Sequence, residues 1–109
     1  MNREFLDAIE ANPIIAAVKD EQGLSNCLSR EELTVIFILY GDIRSIGEIV
    51  ERIHQAGKIA MVHIDLIAGL NNKEIAVDFI KKYTKADGII STKQQLVKRA
   101  KELDLYTVF

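Results

Sequence analysis

The chain has 109 residues, the size of one small domain, and 49% of them are hydrophobic, which is enough for a core. One cysteine, Cys27, and two histidines exclude an internal disulfide and an ordinary zinc-ligand set. No apolar run approaches the roughly 18 residues of a membrane span, and no secretory leader is recognisable. We therefore expect one domain, residues 1–109, in the cytoplasm and without membrane association.

A helix is predicted near Arg3–Glu10, and five strands follow it. The strand segments are apolar, rich in β-branched residues and nearly continuous in hydrophobicity, as is typical of parallel strands covered on both faces. The predicted strands are Pro13–Val18, Thr34–Tyr40, Lys58–Ile64, Asp87–Ser91 and Leu105–Phe109.

Four helix-period segments lie between these strands, and each has a recognisable start. The predicted starts are Asp20, Ser45 with Glu48, Asn71 with Glu74, and Thr92 with Gln95. The apolar positions of the third segment predict that it buries Ile75, Phe79, Ile80 and Tyr83.

The alternation of strands and helices predicts an α/β fold with right-handed crossovers. At this strand spacing, eight units would need roughly 185 residues, a compact TIM barrel. We therefore expect a TIM-barrel-like fold truncated after about four and a half βα units. An open flavodoxin-like sheet is the alternative, although its final strand would normally be followed by a covering helix.

Polar residues follow each of the first four predicted strands, where parallel α/β folds place their sites. These candidate ligand-binding residues are Lys19, Asp20, Tyr40, Asp42, His63, Asp65, Ser91 and Thr92. His63 and Asp65 lie two residues apart, so on a strand they would face the same side and could share one site.

Several of these residues have a structural interpretation as well. Asp20 and Thr92 could be helix caps, and Asp42 could cap the second helix. His63 could be an interior histidine with a satisfied hydrogen bond, whereas His54 is predicted to be a surface residue. Both interpretations of each site residue remain open at the sequence level.

Charge is distributed unevenly along the chain. Residues 1–80 carry seven basic and thirteen acidic side chains, whereas residues 81–101 carry seven basic side chains and one acidic one. Such asymmetry suggests a polyanionic partner, and a solvated helix surface is the alternative.

Five blocks of the sequence resemble a known family. "NPIIAAVKD" (12–20), "ILYGDI" (38–43), "VHIDLIAGL" (62–70), "KEIAVDFI" (73–80) and "ADGIISTK" (86–93) are similar to the glycerol uptake operon antiterminator regulators, in order and with matching spacing. The resemblance implies a TIM-barrel-like cytoplasmic regulator, not an enzyme, with glycerol 3-phosphate as effector and no cofactor or metal. It also implies binding to the leader mRNA of glycerol operons, which prevents premature termination.

With that resemblance, the basic segment becomes the candidate RNA-binding surface. Its predicted RNA-binding residues are Lys81, Lys82, Lys85, Lys98, Arg99 and Lys101. Two other functions remain open: a barrel enzyme acting on a small phosphorylated three-carbon compound, and a truncated fragment with no activity of its own.

The last predicted strand has no helix to cover it. It would leave an exposed edge and an uncovered apolar face on Leu105, Thr107 and Phe109 or their neighbours. The sequence therefore predicts a homo-oligomer that buries Leu105–Phe109 against a second chain.

Overall fold

A computed structural model describes residues 14–109, so the helix predicted near Arg3–Glu10 lies outside the described residues. The described chain forms one sheet of five parallel strands. The strands are β1 (Ile15–Val18), β2 (Val35–Ile38), β3 (Ile59–His63), β4 (Gly88–Ile90) and β5 (Tyr106–Val108). Each lies within a predicted segment, so the five strands are confirmed with shorter bounds.

The order of the strands in the sheet is β1-β2-β3-β4-β5. Successive strands of a (β/α)₈ barrel are neighbours in this way, whereas a flavodoxin-like sheet has the order 2-1-3-4-5. The α/β prediction is therefore confirmed, and the strand order favours the barrel-like alternative. Within residues 14–109 the sheet does not close, and complete barrel formation stays a prediction.

Four α-helices connect the strands: α1 (Glu21–Leu28), α2 (Ile46–Gln55), α3 (Glu74–Tyr83) and α4 (Gln94–Glu102). The predicted cap of α1 is confirmed, since the Asp20 carboxylate accepts a hydrogen bond from Gly23 N at 2.7 Å. Helix α2 begins directly after Ser45, as predicted, but Ser45 makes no side-chain cap bond to the helix. Instead the Asp42 carboxylate accepts from Ser45 N at 3.1 Å.

The third helix also differs from its prediction. It begins at Glu74 rather than Asn71, and its buried residues are Ala76, Val77 and Ile80. Ile75 and Tyr83 are 67% and 64% exposed. Ile75 lies about 100° around the helix from Ala76 and so faces away from the buried stripe, whereas Tyr83 lies on the side of Ala76 and Ile80 but is the last residue of the helix.

The start of α4 is two residues later than predicted, at Gln94. Thr92 does not cap this helix with its side chain, since both its N–H and its hydroxyl are directed to Asp65. The residues that α4 buries against the core are Leu96, Val97 and Ala100.

The two faces of the sheet have different surroundings. Alternate strand residues such as Ile36, Val62 and Ile89 pack with the helices in the main core. The opposite face carries a smaller apolar cluster, centred on Val35 and Met61. No described helix covers that second face, which corresponds to the interior of a barrel.

The C-terminal strand has apolar residues on both faces of the sheet. Leu105 is buried in the main core. Its neighbours Tyr106 and Val108 pack with the second cluster, and Phe109 is 76% exposed. The prediction named Leu105, Thr107 and Phe109 or their neighbours for the face without a covering helix, and the structure places the neighbours there.

Candidate functional site

Asp65 joins the ends of β3 and β4. Its carboxylate accepts hydrogen bonds from the Ser91 hydroxyl at 3.1 and 3.3 Å, from Thr92 N at 3.1 Å and from the Thr92 hydroxyl at 3.4 Å. The Ser91 oxygen in turn accepts from Lys93 N at 3.0 Å. Three of the predicted ligand-binding residues thus meet at the carboxyl edge of the sheet, where they bond to one another.

His63 and Asp65 are not partners. The strand ends at His63, and Asp65 lies in the 3₁₀ turn Ile64–Leu66, so the two side chains do not follow the alternation of a strand. His63 continues the face of Met61, and its Nδ1 is buried without a hydrogen-bond partner in the described structure. An unpaired buried nitrogen is unusual in a folded protein and is a natural contact for a polar ligand.

Tyr40 turns away from the edge and toward the helices. Its hydroxyl donates to Glu21 Oε2 at 2.9 Å, and the other oxygen of Glu21 pairs with Arg52. The Arg52 hydrogen bond, and then that of Tyr40, lowers the pKa of Glu21. Burial, and then the Glu21 carboxylate, strongly raises the pKa of Tyr40. Tyr40 therefore joins β2 to α1 and α2 as a neutral donor.

Asp42 organises the loop that leads into α2. It accepts from the Arg44 guanidinium at 2.9 Å and from Arg44 N at 2.8 Å. The Arg44 side chain, followed by its backbone N–H, lowers the pKa of Asp42 to about 2. Ile43 N also donates to Ala68 O at 3.0 Å, which ties this loop to the one after β3. The capping interpretation of Asp42 is thus confirmed.

Two predicted ligand-binding groups remain available at this edge. Lys19 is exposed and has no hydrogen-bond or ion-pair partner within residues 14–109, and His63 Nδ1 is also unpaired. These two groups form the candidate ligand-binding site, and Asp65 holds Ser91 and Thr92 at the same edge. The sequence did not reveal the partners of Tyr40 and Asp42. Tyr40 bonds to Glu21, which also pairs with Arg52, and these contacts join distant elements. Asp42 bonds to Arg44, and this contact depends on the geometry of the loop. Only the Asp42-x-Arg44 spacing hinted at one of them.

The predicted RNA-binding residues lie away from this edge. Lys81, Lys82 and Lys85 are at the end of α3, where the chain turns back toward the amino end of β4. Lys98 and Lys101 occupy the second half of α4 and line a groove with the exposed Phe109. All five lysines are exposed.

Arg99 differs from these lysines. Its guanidinium pairs with Asp78 at 2.8 Å and with Glu102 at 3.1 Å. Those two hydrogen bonds, that of Asp78 first, raise the pKa of Arg99. Since two carboxylates compete with any phosphate, Arg99 is a weaker anion contact than its position in the basic segment suggested.

His54 is not the simple surface residue that the sequence predicted. Its Nε2 lies 2.8 Å from Asp87 Oδ2, and both side chains are 30% exposed. The same Asp87 oxygen accepts from Ala60 N at 2.8 Å. The pair therefore fastens α2 to the amino ends of β3 and β4.

The described part of the chain contains neither a metal-binding cluster nor a membrane-spanning helix. Residues 14–109 contain no cluster of three or more histidine, cysteine or carboxylate side chains placed to hold a metal ion. None of the helices in the same range is long and apolar enough to cross a membrane.

Residues 14–109 match the sequence model of a family described as the glycerol-3-phosphate responsive antiterminators. The chain belongs to this family. It is also 46% identical over 97 residues to a protein of Escherichia coli (strain K12) named "Uncharacterized protein YgcP", covering 89% of this chain and 50% of that one. The family relationship identified from the five sequence blocks is thus confirmed.

Two solved structures have the same fold. The glycerol uptake operon antiterminator regulatory protein of Listeria monocytogenes is 29% identical, with a TM-score of 0.81 over 86% of this chain and 50% of that one. A glycerol uptake operon antiterminator-related protein of Thermotoga maritima is 31% identical, with a TM-score of 0.77 over 88% of this chain and 53% of that one.

The chain spans about half the length of the relatives that it matches. The family and these structural neighbours are described as antiterminators, which are regulators and not enzymes.

Proposed function

We propose that this chain acts in transcription antitermination as a cytoplasmic, glycerol-3-phosphate-responsive protein that binds the leader mRNA of glycerol operons. The observation that carries the proposal is the family match across residues 14–109. The two ends of the sheet supply the chemistry that such a regulator needs. Unpaired polar groups at the carboxyl edge suit a small phosphorylated effector, and exposed lysines toward the amino end suit a polyanion.

In the proposed effector site Lys19 supplies a positive charge for the phosphate, and His63 Nδ1 contacts a hydroxyl or phosphate oxygen. Neighbouring strands lie about 4.8 Å apart, so the ends of β1 and β3 are roughly 10 Å apart across β2. A long lysine side chain and a three-carbon phosphate can span that separation. Asp65 supports the site by holding Ser91 and Thr92.

Calorimetric titration with glycerol 3-phosphate tests this site. Lys19→Gln and His63→Leu should each weaken binding about tenfold, since each removes one polar contact worth roughly 1–2 kcal/mol. Lys85→Gln, the matched control at the other end of the sheet, should bind as the unaltered chain does. Equal affinity in all three variants would contradict this placement of the effector.

A transcription assay tests the regulatory function itself. Read-through of a glycerol operon leader terminator in vitro should increase when the protein and glycerol 3-phosphate are both added. Read-through that is indifferent to the protein, with or without the phosphate, would refute antitermination by this chain.

We also propose that the chain self-associates through β5. The strand pairs only with β4 in the described structure, and Phe109 beside it is exposed. An edge strand presents a row of backbone N–H and C=O groups with which a strand of a second chain can pair. Light scattering at micromolar concentration should give a dimer or a larger assembly, and a monomer would refute this proposal.

A further inference from the structure

Tyr83 is an exposed aromatic residue in a strongly basic neighbourhood. It ends α3, and 64% of its surface is accessible although the helix pattern predicts burial. Its ring lies 5.1 Å from that of Phe79, tilted by 36°, and Lys82 Nζ lies 5.4 Å from the ring centre. The ring is therefore supported on its helix while much of it remains open to a partner.

A groove of about 490 Å³ runs beside this ring. One wall is the face of α2 that carries Gly47, Glu51, His54 and Gln55, and the other is Lys82–Lys85 at the end of α3. The two walls approach each other closely at Gly47, where an added Cβ would lie 3.6 Å from the Tyr83 carbonyl oxygen, in ordinary van der Waals contact. The groove thus combines an accessible aromatic ring, two lysines and the amide of Gln55.

The cations of the groove are free to bind an anion. Lys82 and Lys85 have no carboxylate partner within residues 14–109, whereas Arg99 on α4 is held by two. His54, on the α2 wall, is paired with Asp87 at 2.8 Å. Among the described residues that line the groove, Glu51 is the only acidic one.

Proteins that bind single-stranded nucleic acid commonly combine an exposed aromatic ring with nearby lysines. Aromatic side chains stack on unpaired bases, while lysines follow the phosphates between them. A duplex keeps its bases stacked inside the helix, so an exposed tyrosine gains little from it. A phosphate-rich ligand without bases would use the lysines and leave the ring unused.

We propose that the groove between α2 and the end of α3 is the RNA-binding surface, with Tyr83 stacking on an unpaired base and Lys82 and Lys85 contacting flanking phosphates. This inference rests on the proposed function and refines it. Of the predicted RNA-binding residues it keeps Lys82 and Lys85 at the end of α3, adds Tyr83 between them, and leaves out Lys98, Arg99 and Lys101 on α4.

Fluorescence anisotropy with a labelled oligouridylate of roughly twelve nucleotides, at two salt concentrations, tests the groove. Tyr83→Ala should weaken binding about tenfold with an unchanged salt dependence, since it removes stacking and no charge. Tyr83→Phe keeps the ring and should bind as the unaltered chain does. Lys82→Gln and Lys85→Gln should each flatten the log–log salt dependence by about 0.7, the value for one phosphate contact on a single strand.

One substitution in the groove should raise the RNA affinity instead of lowering it. Glu51→Gln removes the carboxylate that repels phosphates, so it should strengthen binding two- to fivefold, a modest gain of the size of an exposed charge interaction. Lys73→Gln, an exposed lysine at the start of α3, is the control for loss of one charge and should change little. A duplex RNA of the same length should bind more weakly than the single strand.

The possible failures are distinguishable. If the unaltered chain binds no RNA, the RNA-binding part of the proposed function fails together with the groove. If it binds RNA but Tyr83→Ala and both lysine variants are unaffected, the groove alone is refuted. Loss of binding only in Lys98→Gln/Lys101→Gln would return the surface to α4 and overturn this inference.

Discussion

The two ends of the parallel sheet use their polar residues differently. At the carboxyl edge Asp20, Tyr40, Asp42 and Asp65 each bond to a nearby group of the fold. Toward the amino end, the lysines of α3 stay exposed beside an exposed tyrosine. A polar residue in a favourable position is therefore a weaker indicator of binding than a polar residue whose own structure leaves it unpaired.

Removal of Asp65 should have the largest effect on the carboxyl edge. Asp65→Ala leaves the fully buried Ser91 and the Thr92 N–H without their acceptor, so the free energy of unfolding should fall by about 2–3 kcal/mol. Urea denaturation measures this loss. Lys19→Ala, which removes an exposed side chain with no partner, should stay within about 0.5 kcal/mol. Equal stability of the two variants would contradict a structural role for Asp65.

Asp87 provides the corresponding test at the amino end. Asp87→Ala removes the acceptor shared by His54 and the buried Ala60 N–H, and we expect a loss of about 1–2 kcal/mol in the free energy of unfolding. Asp87→Asn keeps an oxygen acceptor and should lose less. Lys85→Ala, two residues earlier, should be nearly neutral. If Asp87→Ala is as stable as Lys85→Ala, then the hydrogen bonds of Asp87 do not stabilise the fold and the contrast with the unpaired Lys85 is contradicted.

The smallest effect concerns Asp42, whose carboxylate is well solvated. Its pKa is lowered to about 2 from the ordinary 3.8, first by the Arg44 side chain. A group with a lowered folded-state pKa stabilises the fold above its unfolded pKa and loses that contribution as the pH falls toward 2. NMR titration of the Asp42 carboxyl group should show its midpoint near pH 2.

Arg44→Ala should move that midpoint upward, toward 3.8, because the first cause of the shift is removed. An unchanged midpoint would mean that the backbone N–H groups of the turn hold Asp42 without the guanidinium.

The sequence by itself determined the secondary structure and the parallel α/β architecture. Continuous apolar runs and helix-period stripes are local signals, and the Asp20 cap depends on a residue three positions away. It also predicted that polar residues follow the strand ends at the carboxyl edge, although Tyr40 turns away from that edge. The family could be identified for the same reason, because its five blocks are contiguous segments.

Only the tertiary structure decided which of these groups are free. The contacts of Glu21 with Tyr40 and of His54 with Asp87 join residues 19 and 33 positions apart, and no local pattern encodes such pairs. The exposure of Tyr83 depends on where α3 ends relative to the core, and its apolar spacing alone had predicted burial. Availability for binding is a property of the packed molecule, because a side chain is free only when no distant element has reached it.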